Sequence, residues 1–158
     1  PATVGYFTDP WAIPVPGPQD LPLVKPPYKR VTAIDLNTGD HAWMAPHGDG
    51  PRNHPALRDL DLPALGGHRG MHGGGPLVTK TLLVVNSGGR NVADQLAAAR
   101  AITAYNKDTG EYLGSVELPA VPFGNPITYW HEGVQFIAVA IGSSGSGDAA
   151  ELIALALP

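Results

Sequence analysis

The alternation of apolar and polar positions predicts short β-strands that come in pairs. Residues 31–36 read VTAIDL, in which successive side chains point to opposite faces of an extended chain. The next four residues, 37–40, are turn formers, and Gly39 among them is free to adopt the positive φ that a tight turn needs. Residues 41–44 then return as the partner strand. The pattern therefore predicts a β-hairpin over residues 31–44.

This hairpin occurs twice, and a second strand pair is interleaved with it. VTAIDLNTGDHAWMAP (31–46) returns 71 residues later as ITAYNKDTGEYLGSVELP (102–119), with Gly110 in the place of Gly39. GGPLVTKTLLVVNSGG (74–89) returns as GNPITYWHEGVQFIAVAIGSSG (124–145). The second pair predicts two further hairpins, with strands at 76–79 and 82–86 and at 126–130 and 135–141. Residues 151–157 resemble the start of a third copy of the first hairpin.

These internal repeats indicate the fold class. Four short antiparallel strands in a unit of roughly 45 residues are typical of a β-propeller blade. The sequence therefore predicts an all-β chain that is part of a propeller with four-stranded antiparallel blades and long loops. The predicted parts are a Pro-rich ordered loop (1–30), a half blade (31–48), a long loop (49–74), a full blade (75–119) and a closing half blade (120–158). Because a propeller needs about 4–8 blades to close, we expect a piece of a longer polypeptide or a processed subunit.

Three segments lack the strand pattern. Proline in residues 1–30 forbids a regular helix or a central strand, and the aromatic residues there favour an ordered loop over the alternative, a disordered linker. Residues 92–100 (VADQLAAAR) are rich in alanine and predict a short helical insertion in the full blade. Long loops in compact domains usually have a function or lie over a site, so residues 49–74 are a candidate binding region.

Composition and charge exclude several classes of function. Gly 20 and Pro 17 in 158 residues indicate turn-rich β-structure rather than a helical bundle. The formal net charge is −4 and the basic residues form no cluster, which argues against nucleic acid binding and a polybasic membrane anchor. The absence of cysteine excludes disulfides and thiolate metal sites in this chain. No apolar run approaches the ~20 residues of a membrane-spanning helix.

Four histidines close together in sequence suggest a metal site as one hypothesis. They are His47, His54, His68 and His72. Zinc needs three or four converging nitrogen or oxygen ligands, and these spacings match no metal motif. We therefore predict no metal ligand in this chain. His131 is predicted in a hairpin turn, 131–133, at the surface.

The hairpin sequence VTAIDLNTGDHAW resembles the tryptophan-docking motif of the quinoprotein dehydrogenases, eight-bladed propellers that use pyrroloquinoline quinone (PQQ). The segments LVKPPYKRVTAIDLNTGDHAW, GGPLVTKTLLVV, ITAYNKDTGEYLGSVELP, NPITYWHEGVQFIAVAIG and ELIALALP resemble the last quarter of these enzymes in the same order, with most similarity to the membrane-type glucose dehydrogenase branch. Trp43 is then the docking tryptophan between blades. The chain departs from the pattern at Gly114, where a tryptophan is expected, at Ala99, where an aspartate is common, and at Ser143, where a histidine is common.

The resemblance implies an enzyme that oxidises an aldose (glucose-like) or an alcohol and passes electrons through PQQ to a quinone or cytochrome. It also implies a periplasmic protein, membrane-associated through parts outside this chain. In this family the Ca²⁺ ligands and the catalytic aspartate lie in earlier blades, so no catalytic residue is assigned here. The chain needs the rest of the propeller as its partner and is expected to be inactive alone. The alternatives are a non-catalytic propeller that serves as a protein-binding scaffold and a degenerate remnant without activity.

Within the resemblance, two loops are the candidates for lining the cofactor. Glycine-rich backbone lets N–H groups approach a planar anionic quinone without side-chain clashes. The candidate cofactor-binding residues are His72, Gly73, Gly74, Ser143 and Ser144. Arg90 is a weaker candidate for pairing with a PQQ carboxylate. The alternative is that these glycines only form turns and that Arg90 is a solvated loop residue.

Overall fold

The computed structural model describes residues 17–67, 75–86, 100–142 and 149–156. Within these ranges it contains nine β-strands and two 3₁₀ turns, Pro18–Asp20 and Pro51–Asn53. The strands are β1 (Arg30–Ile34), β2 (His41–Pro46), β3 (Leu77–Val78), β4 (Leu82–Asn86), β5 (Ala101–Asn106), β6 (Tyr112–Glu117), β7 (Pro122–His131), β8 (Val134–Ile141) and β9 (Glu151–Ala156). The described part of the chain holds no helix with the length and hydrophobicity needed to span a membrane. The predicted insertion at 92–100 lies almost wholly outside the described residues.

The strands form three antiparallel sheets. β1 pairs with β2, β3 to β6 form a four-stranded sheet in chain order, and β7 to β9 form a three-stranded sheet. This confirms the predicted all-β, antiparallel architecture. β9 pairs antiparallel with β8, just as β5 pairs antiparallel with β4. This is the arrangement expected if residues 151–157 are the start of a third copy of the first hairpin. The number of blades, and the division of the chain into them, stay predictions.

The two equivalent hairpin turns have the same backbone geometry. Gly39 has a φ of 78° and Gly110 a φ of 75°, the left-handed values that favour glycine. The Gly39 amide donates to the Asp35 carbonyl (2.7 Å), and the Gly110 amide donates to the Asn106 carbonyl (2.9 Å). The two hairpins that repeat in sequence therefore also share the same backbone conformation at their turns.

The hairpin of β7 and β8 differs from its prediction in two ways. β7 begins at Pro122 and runs through Pro126, the residue predicted to start the strand, although proline cannot donate to a β-ladder. The structure accommodates this proline through a register irregularity between Phe123 and Ile127. The prediction that His131 lies in the turn is wrong, since His131 ends β7 and pairs with Val134, although it is exposed as expected. The turn consists of residues 132–133 alone, and both have positive φ, as a tight two-residue hairpin turn requires.

The main hydrophobic core lies between the second and third sheets. Alternate residues of β8, Ile137, Val139 and Ile141, place their side chains on one face. They pack in one cluster with Val84, Ile102, Leu118 and Ala120. Val139 and Ile141 are each 1% exposed. Burial of these side chains is the main term that holds the third sheet against the second.

Trp43 connects the first sheet to the second. The indole Nε1 donates to the Lys107 carbonyl at 2.9 Å, in the turn between β5 and β6. The ring covers Gly110 so closely that a Cβ at this position would lie 2.6 Å from Trp43 Cδ2. This confirms the predicted docking role of Trp43. At Gly114, which occupies the position of Trp43 in the second copy of the hairpin, no atom of the described residues lies within 4 Å of where a Cβ would stand.

Candidate functional site

The ends of several strands meet at one edge of the structure, here called the loop edge. Antiparallel pairing places the ends of β4 and β6 beside the start of β5, and the end of β8 beside the starts of β7 and β9. Hydrogen bonds tie these ends together, for example from the Leu118 amide to the Arg100 carbonyl (2.6 Å) and from the Gly142 amide to the Val121 carbonyl (2.9 Å). The three longest connections between consecutive strands, β2–β3, β4–β5 and β8–β9, are made from these strand ends.

The five predicted cofactor-binding residues lie outside the described part of the chain. They are His72, Gly73, Gly74, Ser143 and Ser144, and Arg90 is outside it as well. Gly75 and Gly142 are the nearest described neighbours of these loops, and both lie at the loop edge, two residues before β3 and directly after β8. The cofactor contacts of the five predicted residues therefore stay a prediction. The positions of Gly75 and Gly142 at the loop edge agree with this prediction.

His47 is a buried polar residue to which the sequence assigned no role. It follows β2 and is 2% exposed. Its Nδ1 lies 2.8 Å from the Tyr105 hydroxyl, and its Nε2 lies 3.2 Å from the Asn86 carbonyl oxygen. A carbonyl can only accept, so this geometry assigns the proton to Nε2 and makes Nδ1 the acceptor for Tyr105. His47 thus links the first hairpin to two strands of the second sheet.

The surroundings keep both His47 and Tyr105 uncharged near neutral pH. Burial, and secondarily the positive charge of Lys29, lower the pKa of His47 to about 4. Burial, and secondarily the neighbouring Tyr112, raise the pKa of Tyr105 to about 12. The pair is therefore a neutral imidazole and a protonated phenol, joined in a buried hydrogen bond.

Asn86 ends β4 and is 1% exposed. Its Nδ2 donates to the Gly124 carbonyl of β7 at 2.7 Å, which joins the second sheet to the third. Its Oδ1 has no hydrogen-bond partner among the described residues. A buried acceptor without a partner is costly, about 1–3 kcal/mol, and in native proteins it often marks a place for a water or a ligand.

Asn125 completes the polar chain at the loop edge. Its Oδ1 accepts a hydrogen bond from the backbone amide of Gly75. A Cβ at position 75 would lie 3.2 Å from that oxygen, so glycine allows the close approach. Hydrogen bonds therefore connect the first hairpin, the second sheet and the third sheet through His47, Asn86 and Asn125.

The other histidines within the described ranges take no part in this arrangement. His54 is half-buried, and its Nδ1 accepts from the Ala56 amide at 3.1 Å in a local turn. His131 is exposed and lies 3.9 Å from a Glu132 carboxylate oxygen. Across the parts of the chain that the structure describes, no three His, Cys, Asp or Glu side chains come together as metal ligands would.

A separate cleft of about 620 Å³ lies between the first hairpin, with its following loop, and the facing side of β5 and β6. Its floor includes the buried residues Thr103 and Tyr105, and its rim includes the ion pair between Asp49 and Arg52 (3.1 Å). This volume is within the range of small-molecule sites. Tyr105 therefore both lines this cleft and makes the buried hydrogen bond to His47.

Comparison with known proteins identifies a family. Residues 8–137 match the family model described as "PQQ: Glucose/ethanol/alcohol dehydrogenase, beta-propeller domain". The chain is 32% identical over 119 residues to the glycerol dehydrogenase large subunit of Gluconobacter thailandicus, covering 75% of this chain and 15% of the relative. It is 29% identical over 152 residues to the quinoprotein glucose dehydrogenase of Escherichia coli (strain K12), covering 89% and 17%.

A third relative is the quinate/shikimate dehydrogenase (quinone) of Acinetobacter baylyi (strain ATCC 33305 / BD413 / ADP1). It is 29% identical over 126 residues, covering 78% of this chain and 14% of the relative. The chain thus spans 14–17% of the length of these three relatives. Their names give three different substrates, a polyol, an aldose and a cyclic hydroxy acid.

Proposed function

Because this chain belongs to the PQQ-dependent glucose/ethanol/alcohol dehydrogenase family, within its β-propeller domain, we propose that it forms the C-terminal part of an enzyme that oxidises an aldose or an alcohol. In this proposal electrons pass from the substrate to PQQ and then to a quinone or a cytochrome. The single observation that carries the proposal is the family match over residues 8–137. The loop edge is the region of the chain that we assign to cofactor binding.

Two features of the described residues fit a planar cofactor with hydrogen-bonding groups. Asn86 Oδ1 is buried and has no partner among them, so it can accept a hydrogen bond from a bound group. Gly75, which lies two residues before β3, presents no side chain. When bound, PQQ would supply the two-electron redox chemistry. His72, Gly73, Gly74, Ser143 and Ser144 stay the candidate contacts, and Ca²⁺ is proposed to bind residues outside this chain.

The described residues would act by orientation and by exclusion of water. The neutral His47 and protonated Tyr105 form a buried bond that adds no charge beside an anionic cofactor. The core of the second and third sheets holds the strand ends in place. We assign no proton transfer and no catalytic role to any residue of this chain.

The proposed partner of this chain is the remainder of a propeller. The outer face of the third sheet carries exposed apolar residues, among them Ile127 (57%), Tyr129 (41%) and Leu152 (72%). The register of the sheet places these three side chains on the same face. Another sheet packed there would remove this apolar area from water. A periplasmic location, with membrane association through other parts of the protein, is proposed from the family resemblance alone.

The proposal is tested with the full-length protein in its apo form. PQQ and Ca²⁺ are added, PQQ binding is followed by the absorbance of the quinone, and dye reduction is measured with glucose, glycerol, quinate and ethanol. We expect PQQ binding and activity on at least one substrate, whereas the 158-residue chain alone should show no activity. A full-length protein that binds no PQQ and reduces no dye would contradict the proposal and favour the scaffold alternative.

A further inference from the structure

Two asparagines join three separate segments of the chain at the loop edge. The Asn86 side chain of β4 donates to the Gly124 carbonyl of β7 at 2.7 Å. The next residue along β7, Asn125, accepts from the Gly75 amide. The sequence separations of these two bonds are 38 and 50 residues, so both are tertiary contacts. Together they set where β3 begins relative to β4 and β7.

His47 holds the first of these asparagines in place. Its imidazole donates to the backbone carbonyl of Asn86, while Tyr105 supplies the opposite hydrogen bond of the ring. The Asn86 side chain is therefore fixed by Gly124 on one side and by its own anchored backbone on the other. Because the side chain is fixed in this way, the Asn86 Oδ1 atom has little freedom to leave its buried position, where it has no hydrogen-bond partner among the described residues.

Asn125 differs from Asn86 because it is exposed. A single hydrogen bond to a backbone amide gives a modest stabilisation, because water can replace it. This bond is made to Gly75, a residue without a side chain that lies two residues before the two-residue strand β3. Such a short strand offers few ladder bonds of its own, so the Asn125 contact is a large share of what orders Gly75.

We propose that Asn125 and Asn86 are positioning residues for the cofactor, which hold Gly75 and Gly124 in the geometry that PQQ binding requires. The proposal rests on the function proposed above and adds two residues to it. Neither residue is given a chemical step. Their contribution is pre-organisation. Because the loop edge is already ordered before the ligand binds, less conformational entropy is lost on binding.

The test measures PQQ affinity in the full-length apo protein, with quinone absorbance as the readout. Asn125→Ala removes the acceptor for Gly75, and we expect the Kd for PQQ to rise about five- to tenfold, as loss of one hydrogen bond implies. Asn125→Gln keeps the amide oxygen and should stay within about threefold of the wild type. Asn86→Ala is a second, independent variant and should weaken PQQ binding in the same direction.

Asn106→Ala is the matched control. The Asn106 side chain accepts bonds from the Asp108 and Thr109 amides in a turn at the opposite end of β5, so its loss costs stability without touching the loop edge. PQQ affinity within twofold of the wild type in Asn125→Ala and Asn86→Ala, or an equal loss in Asn106→Ala, would overturn the proposal. A wild-type protein that binds no PQQ would instead show that the proposed function itself is wrong.

Discussion

Substitution of Gly110 by alanine should destabilise the protein far more than the same substitution at Gly39. The two glycines occupy equivalent turns with nearly equal φ, 75° and 78°. A Cβ at Gly39 meets no atom of the described residues within 4 Å, whereas a Cβ at Gly110 overlaps the Trp43 ring. Gly39→Ala therefore measures the cost of the left-handed backbone alone, and Gly110→Ala adds the cost of displacing the docking tryptophan.

The magnitudes follow from these contacts. Alanine in a left-handed conformation costs about 1–2 kcal/mol, and we expect this for Gly39→Ala. At Gly110 the indole must move, which weakens its bond to the Lys107 carbonyl by about 1 kcal/mol. Loss of part of the packing of a half-buried ring adds about 1 kcal/mol more, since Trp→Ala in a full core costs about 3–5 kcal/mol. Gly110→Ala should thus lower the free energy of unfolding by about 2 kcal/mol more than Gly39→Ala.

The assay is guanidinium unfolding of the full-length protein, followed by circular dichroism. A double-mutant cycle with Trp43→Ala, which alone should cost about 3 kcal/mol, isolates the contact. In the Trp43→Ala background, Gly110→Ala should cost no more than Gly39→Ala, because the ring is gone. Equal costs for the two glycine variants in the wild-type background would refute the docking interpretation.

Two further predictions concern the buried pair at the loop edge. Because the pKa of His47 is lowered from 6.5 to about 4 in the folded state, its contribution to stability is complete above pH 6.5 and is lost as the pH falls to about 4. Over this pH range the free energy of unfolding of the wild type should fall by about 3 kcal/mol relative to that of His47→Gln. Parallel pH–stability curves for the two proteins would contradict the prediction. Tyr105→Phe removes the hydroxyl that bonds His47 and should cost about 1–3 kcal/mol in thermal unfolding. Tyr112→Phe, whose hydroxyl makes only an exposed bond to Ser115, is the control and should cost less than about 0.5 kcal/mol.

Local pattern predicted most of the strands and turns, but not the start of β7 at Pro122 or the pairing of His131. Strand β4 has the predicted bounds, 82–86, because its apolar run lies between clear turn signals. The positive φ at Gly39 and Gly110 was predicted because a tight turn places a steric demand that glycine meets best. Trp43 was assigned its docking role from the resemblance to the quinoprotein dehydrogenases, and its partner turn lies in the second copy of the same hairpin.

The polar network could not be predicted in the same way. His47, Asn86 and Asn125 are separated from their partners by 38 to 58 residues. Histidine and asparagine beside glycine and proline are typical of solvated turns, so no local signal distinguishes a buried member of a network from an exposed one. For His47 the sequence offered only its position three residues after the predicted hairpin strand, 41–44.

The sequence by itself thus determined which residues form strands, where the chain turns and which family motif the repeat matches, because these depend on neighbours a few residues apart. The tertiary structure decided which polar residues are buried, which strand ends meet at the loop edge and which asparagine oxygen lacks a partner among the described residues. Those properties arise only when three sheets pack and exclude water, since a hydrogen bond between distant segments depends on where packing brings them. The continuation of β7 past Pro126 has the same origin. The hydrophobic core to which β8 contributes holds β7 in place on both sides of the register irregularity between Phe123 and Ile127.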